Sequence, residues 1–443
     1  MGFIYLTILT KNNYIKLKKK VLIITYYWPP FSSPGVQRWL KFVKYFDQFN
    51  IKPYIYTPDF SNIDQVDQSL ISDIPDSVII IKKPIFLIDS ILKLFLPNKH
   101  NQYNKGLIPS NDNLTFIDKI LLYVRGNFII PDPKIYWANK SLSFIQNYIA
   151  LNGIETIITT GPPHSMHLLG QRLKNSTNVK WIADFRDPWT NIWYHKKFYF
   201  SKSTLAKHKL LELGVLNDAD HVVVTSDTLK DEYSKLTKTH ISTITNGFDY
   251  YNDNLAVLDK KFTISHIGSI LTDRNPEMLW RVLSKAIKEI EGFKDSFILN
   301  LIGNVSDEVR LSVKEFSLDI YVKFIGHIPY SDTNKYLKKS QILLLIQTNN
   351  NESNSIIPAK LFEYLNSNRP IISISNNIDV KKIIMETKVG YSFNYNEEDD
   401  LFNYISSSYG KFLNNTLKVS PTNINKYSRF ELTRSISDVI SKL

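Results

Sequence analysis

The sequence predicts a parallel α/β protein made of two similar halves that face a central cleft. Three observations predict it. Strand-like apolar runs alternate with helical periodicity from about residue 20 onward. The rhythm breaks over 246–261, a polar stretch without periodicity, and restarts at Phe262. And 443 residues are too many for one compact core, but suit two domains of roughly 200 residues each.

In the first half, strands are expected at 21–25, 53–57, 78–81, 156–159, 181–184 and 222–225, with helical patterns between them at 37–49, 138–151 and 164–173. A polar, Asn-rich insert at 98–113 interrupts the alternation and reads as a mobile loop. In the second half, strands are expected at 262–267, 297–302, 321–324, 342–346, 371–374 and 391–393. Helices are expected at 276–290, 307–316, 331–338, 359–367 and 380–386. The last stretch, 423–443, reads as a helix that crosses back onto the first half. The organisation is therefore an extension (1–19), an N-terminal half (20–248), a C-terminal half (249–420) and a terminal helix (421–443), with a ligand expected in the cleft.

Composition narrows the function classes. Hydrophobic residues at 43% and charged residues at 22% describe an ordinary soluble globular chain rather than a disordered one. The absence of cysteine excludes disulfides, thiolate zinc sites and cysteine nucleophiles, and fits a reducing compartment. A net charge of +12 favours anionic partners: nucleic acid, an acidic membrane surface or phosphorylated ligands. The lysines cluster at Lys16, Lys18, Lys19 and Lys20 and then scatter, and the aromatics sit in apolar runs, so nucleic acid is the weakest of the three.

No segment is predicted to span a bilayer. The apolar run 2–10 is short, and its positive charges follow it, the wrong order for a signal peptide. The run 84–96 is interrupted by Asp89 and Lys93. Its Phe86, Ile88, Leu92, Phe95 and Leu96 fit an interfacial helix or equally a core helix.

Chemistry-bearing segments follow several strand ends, where open α/β sheets bind ligands. After the first strand, Ser32-Ser33-Pro34-Gly35 opens a helix, and Gly35 allows close backbone approach to a phosphate or sugar. A single glycine falls short of the three-glycine dinucleotide fingerprint, which argues against an NAD enzyme. Gly161-Pro162-Pro163-His164 follows another strand; at a helix start the macrodipole lowers the imidazole pKa and leaves a neutral ring. In Asp184-Phe185-Arg186-Asp187, Arg186 reads as a structural residue and Asp187 as the functional one. In the second half, Gly268 ends a strand and Arg274 precedes a helix, where a guanidinium can meet the charge growing on a departing diphosphate.

The most informative segment is Ser355-Ile356-Ile357-Pro358-Ala359-Lys360-Leu361-Phe362-Glu363, a loop and helix start ahead of a buried strand. It offers backbone donors for phosphate and, in Glu363, an acceptor for ribose hydroxyls. An amphipathic helix with a solvated Glu accounts for it equally well. No set of His, Asp and Glu has metal-ligand spacing, and no Ser-His-Asp arrangement emerges.

Taken together, YYWPPFSSPGVQRWLKF, TTGPPHSMHL, WIADFRDPW, ITNGFD and IPAKLFEYLNSNRPIISI resemble glycosyltransferase family 4, retaining enzymes of the GT-B fold with two Rossmann-like domains. The resemblance runs from Lys20 to about Ser408 and is nearest to bacterial enzymes of capsule, O-antigen and other surface-polysaccharide synthesis. It implies a cytoplasmic enzyme, peripheral on the inner face of the membrane. Such an enzyme moves a sugar from a nucleotide-diphosphate sugar to a lipid-linked or oligosaccharide acceptor, without cofactor or metal.

By the resemblance, Arg274 and Lys360 meet the diphosphate, Ile356 and Ile357 donate backbone N–H groups, and Gly35 and Gly268 lie near the phosphates. His164 reaches the donor sugar, Asp187 contacts the acceptor and Glu363 binds the ribose. The first glutamate of the family's E-x7-E motif is replaced by Ser355, with Asn354 or Glu352 as neighbouring substitutes. That departure motivates one alternative, a weakened GT-B fold acting as a binding or scaffold protein. A nucleotide-sugar epimerase of the same fold is a further alternative, against which the well-developed acceptor-side segments count.

Overall fold

The computed structural model describes residues 18–31, 34–60, 70–85, 115–250, 257–350 and 354–443. The apolar run 2–10, the interfacial candidates from Phe86 to Leu96, the Asn-rich insert and Glu352 lie outside the described residues.

Among the described residues the chain forms two parallel sheets. In the first, β1 (Lys19–Ile24), β2 (Ile51–Asp59), β3 (Ile79–Pro84), β4 (Thr156–Gly161), β5 (Lys180–Phe185), β6 (His221–Val224) and β7 (Ile241–Thr243) lie in the order β3-β2-β1-β4-β5-β6-β7. Helices α1 (Pro34–Phe46), α2 (Phe116–Phe128), α3 (Ile135–Asn152), α4 (Ser165–Ser176), α5 (Lys202–Asp218) and α6 (Asp227–Ser234) accompany it. Strand β1 shows why such strands read as unbroken apolar runs: helices cover both faces. Leu22 and Ile24 pack with Trp137 and Trp181 on one side, and Val21 and Ile23 with Trp39 and Phe42 on the other.

The second sheet holds β8 (Phe262–Ile267), β9 (Phe297–Ile302), β10 (Val322–Gly326), β11 (Ile342–Ile346), β12 (Ile371–Ile374) and β13 (Gly390–Phe393), in the order β10-β9-β8-β11-β12-β13. Its helices are α7 (Glu277–Glu289), α8 (Asp307–Glu315), α9 (Tyr330–Lys339), α10 (Ala359–Leu365), α11 (Ile378–Thr387) and α12 (Glu398–Leu413). The sequence pattern did not reveal β7, α2, α5, α6 or α12. Helix α2 turns Phe116, Ile120, Tyr123, Val124 and Phe128 outward, the reverse of the inward stripe that periodicity looks for. Its start is fixed locally, by a capping box between Thr115 and Asp118.

The C-terminal helix α13 (Arg429–Lys442) packs against α1, and its Leu432, Ile436, Val439 and Ile440 share one core with Val21 and Trp39. Arg429 secures the crossing by donating from Nε to Gly247 O (3.1 Å) and from Nη1 to Asp249 (3.1 Å). A second contact joins the halves where Ser226 Oγ donates to Ser355 O (2.6 Å) and Thr228 N to Asp379 (3.0 Å). In each sheet the strand order reverses once, between β1 and β4 and between β8 and β11. Such switch points open crevices at the carboxyl ends of the strands. No described helix is long and apolar enough to cross a membrane.

Candidate active site

A cavity of about 710 Å³ lies where the two crevices meet, lined by residues that follow β1, β4 and β5 on one wall and β8 and β11 on the other. On the C-terminal wall, Arg274 ends a short 3-10 turn, Thr272–Arg274. The next residue is pinned, since Asn275 donates to Ser312 Oγ (2.8 Å) and accepts from Trp280 Nε1 (2.8 Å). Lys360 stands on α10, which Tyr364 ties to the sheet by accepting from Ile267 N (3.0 Å). The Lys360 ammonium rests against Gly268, whose φ of 142° no L side chain tolerates easily, and a methyl group there would coincide with Nζ. Burial, with Arg274 adding to it, lowers the Lys360 pKa to about 8, and Glu363 opposes the shift.

The loop ahead of α10 is held by its carbonyls. Ser355 O accepts from Ser226, and Ile356 O accepts from Gln347 Nε2 (3.0 Å) and Asn377 Nδ2 (3.0 Å). In a trans peptide N–H and C=O point to opposite sides, so the amides of Ile356 and Ile357 are turned the other way. His266, at the end of β8, donates from Nδ1 to Leu344 O (2.9 Å), which leaves Nε2 as an acceptor. Burial, then Lys360, lowers its pKa to about 3.

On the N-terminal wall the deepest charge is structural. Asp184 is fully buried and accepts from Arg38 Nη2 (2.8 Å), Trp39 Nε1 (2.8 Å) and Thr160 Oγ1 (2.8 Å). His164 lines the cavity, stacks on Trp189 at 4.7 Å and 5°, and neither ring nitrogen has a hydrogen-bond partner. Burial, reinforced by His167, His195 and Arg186, holds its pKa well below the ordinary imidazole range. The ring is therefore neutral at physiological pH. Trp189 is itself fixed, donating from Nε1 to His208 Nδ1 (3.1 Å). Burial raises the Asp187 pKa, with Arg186 opposing.

Of the residues singled out from sequence, the cavity brings together Gly35, His164, Asp187, Arg274, Ile356, Ile357 and Lys360. Gly268, Ser355 and Glu363 are not among its lining residues. Gly268 acts by making room for Lys360, Ser355 is buried with its carbonyl on Ser226, and Glu363 lies one turn beyond Lys360 on α10. Arg186, read from the sequence as structural, instead lines the cavity, and the buried structural pair is formed by Arg38 and Asp184. Asp132, Trp193 and Phe200 also line it and were missed, because they lie on helix connections and a 3-10 turn rather than at strand ends. Helix α10 spans seven residues, too few for a strong dipole, so the positive field here comes mainly from its lysine and from Arg274. Among the described residues no cluster of three or more His, Asp or Glu could hold a metal.

No protein-family model and no curated protein matches this sequence. Solved structures do. The lipopolysaccharide outer core galactosyltransferase WaaB, in its apo form, superposes with a TM-score of 0.59 at 13% identity over 96% of this chain and 100% of that one. The pneumococcal O-GlcNAc transferase GtfA, in complex with UDP and GlcNAc, gives 0.56 at 11% over 96% and 99%. UDP-GlcNAc 2-epimerase from Methanocaldococcus jannaschii gives 0.53 at 12% over 96% and 100%. The fold is GT-B. Two parallel α/β domains with their switch points facing one cleft are its defining arrangement, and the cavity occupies that cleft. Because transferases and an epimerase share the GT-B fold, chemistry has to be argued from the cavity itself.

Proposed function

We propose that this protein is a retaining glycosyltransferase of the family 4 type, acting in surface-polysaccharide synthesis. The observation that carries the reading is the convergence of Arg274 and Lys360 on one wall of the cleft with His164 and Asp187 on the other. The two cations meet the diphosphate of a nucleotide sugar and stabilise the charge it gains on departure, so no metal is needed. Glu363, one turn beyond Lys360 on α10 and outside the cavity lining, receives the ribose hydroxyls of a nucleotide that extends past Lys360. The bond from the anomeric carbon to the phosphate oxygen breaks, and the acceptor hydroxyl forms the new bond from the same face. Its proton passes to the departing phosphate oxygen. Neutral His164 orients the donor sugar, and Asp187 receives the acceptor hydroxyl. Closure of the two halves around the substrates excludes water and limits donor hydrolysis.

The acceptor in this reading is lipid-linked, and the protein binds the inner face of the cytoplasmic membrane. Helix α2 supports this. Phe116 is 78% and Phe128 75% exposed on its outward stripe, Lys119 stands beside it, and its Arg125 and Gly126 border the cavity. One feature favours a second reading, a scaffold: Ser355 supplies no carboxylate. Purified protein with donor alone separates it from an epimerase, since an epimerase yields an isomerised sugar nucleotide and a scaffold yields nothing.

Calorimetric titration with UDP- and GDP-sugars tests the main reading. Binding should weaken by about tenfold or more in Arg274→Ala and in Glu363→Ala. Unchanged affinity in both variants would remove the donor site from this wall.

A further inference from the structure

Two arginines of the N-terminal half are held in opposite ways. Arg38 is neutralised by Asp184 at 2.8 Å and sealed from solvent. Arg186 lines the cavity, with Nε donating to Gly161 O (3.3 Å) and Nη2 to Pro162 O. Its main chain is fixed as well, through Arg186 N to Gly161 O (2.9 Å) and Thr225 Oγ1 to Arg186 O (2.8 Å). These acceptors are neutral, so they orient the guanidinium without cancelling its charge. Among the described residues no carboxylate hydrogen-bonds to it, and Asp187 and Asp184 act on it only through space.

The remaining nitrogen, Nη1, fills the space that a methyl group on Gly35 would take, at the first turn of α1. That turn carries no acidic side chain. Beside it stands His164, 5% exposed, lining the same cavity, with both ring nitrogens unpartnered. A fixed cation, a glycine that admits it and a buried polar ring without a partner make a built site that its own protein groups leave unsatisfied.

We propose that Arg186, seated over Gly35 on the same cavity wall as the His164 ring that orients the donor sugar, binds an oxyanion on the acceptor, so that the acceptor is an anionic glycan. This rests on the donor reading above: Arg274 and Lys360 already answer the diphosphate from the opposite wall, and Arg186 answers a different anion. Asp187, next in sequence, then faces the hydroxyl beside that anion. Phosphate and carboxylate share the chemistry that the guanidinium recognises.

The test is calorimetry on the full chain saturated with UDP or GDP, whichever binds, titrated with glucose 1-phosphate, glucuronate and glucose. At least one anionic sugar should bind and glucose should not, and the two anionic probes separate a phosphate from a carboxylate. Arg186→Gln should weaken that binding by about tenfold or more while nucleotide affinity and melting temperature hold. Gly35→Ala, which displaces the guanidinium without removing its charge, should cause the same loss and stands in if the arginine variant fails to fold. The proposal falls if neither anionic sugar binds, or if Arg186→Gln leaves binding unaltered. It also falls if the sugar and the nucleotide displace each other one for one, which assigns Arg186 to the donor phosphates. If no nucleoside diphosphate binds, the donor reading fails instead, and the same titrations into unliganded protein still decide the role of Arg186.

Discussion

On the N-terminal wall of the cleft the innermost carboxylate, Asp184, is used up by Arg38, Trp39 and Thr160, whereas on the C-terminal wall Arg274 and Lys360 form no ion pair among the described residues. The first arrangement joins α1 to β5 and, through Arg38, to the carbonyls of Ile244 (2.8 Å) and Thr245 (2.8 Å). It shapes the wall and has nothing left to offer a ligand. The second concentrates positive charge that no carboxylate among the described residues pairs with directly, Glu363 acting on Lys360 only through space. A buried pair is therefore a mark of architecture, and unmatched cations on a cavity wall are a mark of a site.

Breaking the buried pair should have the largest effect. Asp184→Asn removes the counter-charge from a guanidinium that has no access to water, and should cost about 3–5 kcal/mol in urea unfolding. The double variant Arg38→Met with Asp184→Leu should recover much of that loss, because no uncompensated charge is left buried. The Asp184 carboxyl is held below its ordinary pKa: burial, which raises it, is outweighed by Arg38 and the hydrogen bonds. Its contribution is accordingly present above the unfolded value of about 3.9 and lost as pH falls below it. A single-variant cost under about 1 kcal/mol would mean that the pair is not the wall's anchor.

Much of this contrast was legible in the sequence. Strands β8, β9, β11 and β12 fall where the apolar runs predict, because strands buried on both faces are mostly apolar, and the few polar residues they carry, such as Ser265, Asn300 and Ser373, are small and buried with them. The site residues at strand ends were legible for the same reason: the strand's end fixes the loop's place at the cleft. What could not be read was pairing across long separations. Arg38 and Asp184 are 146 residues apart, and nothing in either neighbourhood distinguishes Arg38 as the structural arginine and Arg186 as the cavity-facing one. Aromatic residues such as Trp193 and Phe200 reach the cavity from an excursion between β5 and β6, with no local signal that marks their destination. The seven-residue α10 was legible as a helix, but its shortness was not, and that shifts the electrostatic work to Lys360.

The C-terminal wall can be sharpened with pH. Lys360 in the unliganded protein titrates near 8, below its ordinary 10.5, so a ligand that needs its charge should bind less well as pH rises through about 8. The loss should approach about tenfold in nucleotide affinity, read by calorimetry from pH 7 to 9.5, and Lys360→Arg should flatten the profile. Stability has the opposite sign. Between about 8 and 10.5 the unfolded chain holds a proton that the folded lysine has released, so the unliganded protein gains stability from this group as pH rises. Affinity and stability that move together across this window would contradict the assignment.

The smallest effects should come from the contact between the halves, where the same contrast between buried and exposed groups recurs. Ser226 Oγ is buried, donates to Ser355 O at 2.6 Å and accepts from Leu229 N at 3.2 Å, which also caps α6. Ser226→Ala removes both bonds and should cost about 1–2 kcal/mol. Nearby, Lys382 and Asp227 pair at 2.7 Å, with side chains 58% and 48% exposed. Water and salt screen that pair, so Lys382→Ala should change stability by less than about 0.5 kcal/mol. Parallel urea titrations decide between them. If Lys382→Ala costs as much as Ser226→Ala, surface charge holds the halves together, and raising the salt to about 1 M, where screening acts over about 3 Å, should erase the difference between Lys382→Ala and the parent. If burial governs the contact, the cost of Ser226→Ala persists unchanged at that ionic strength.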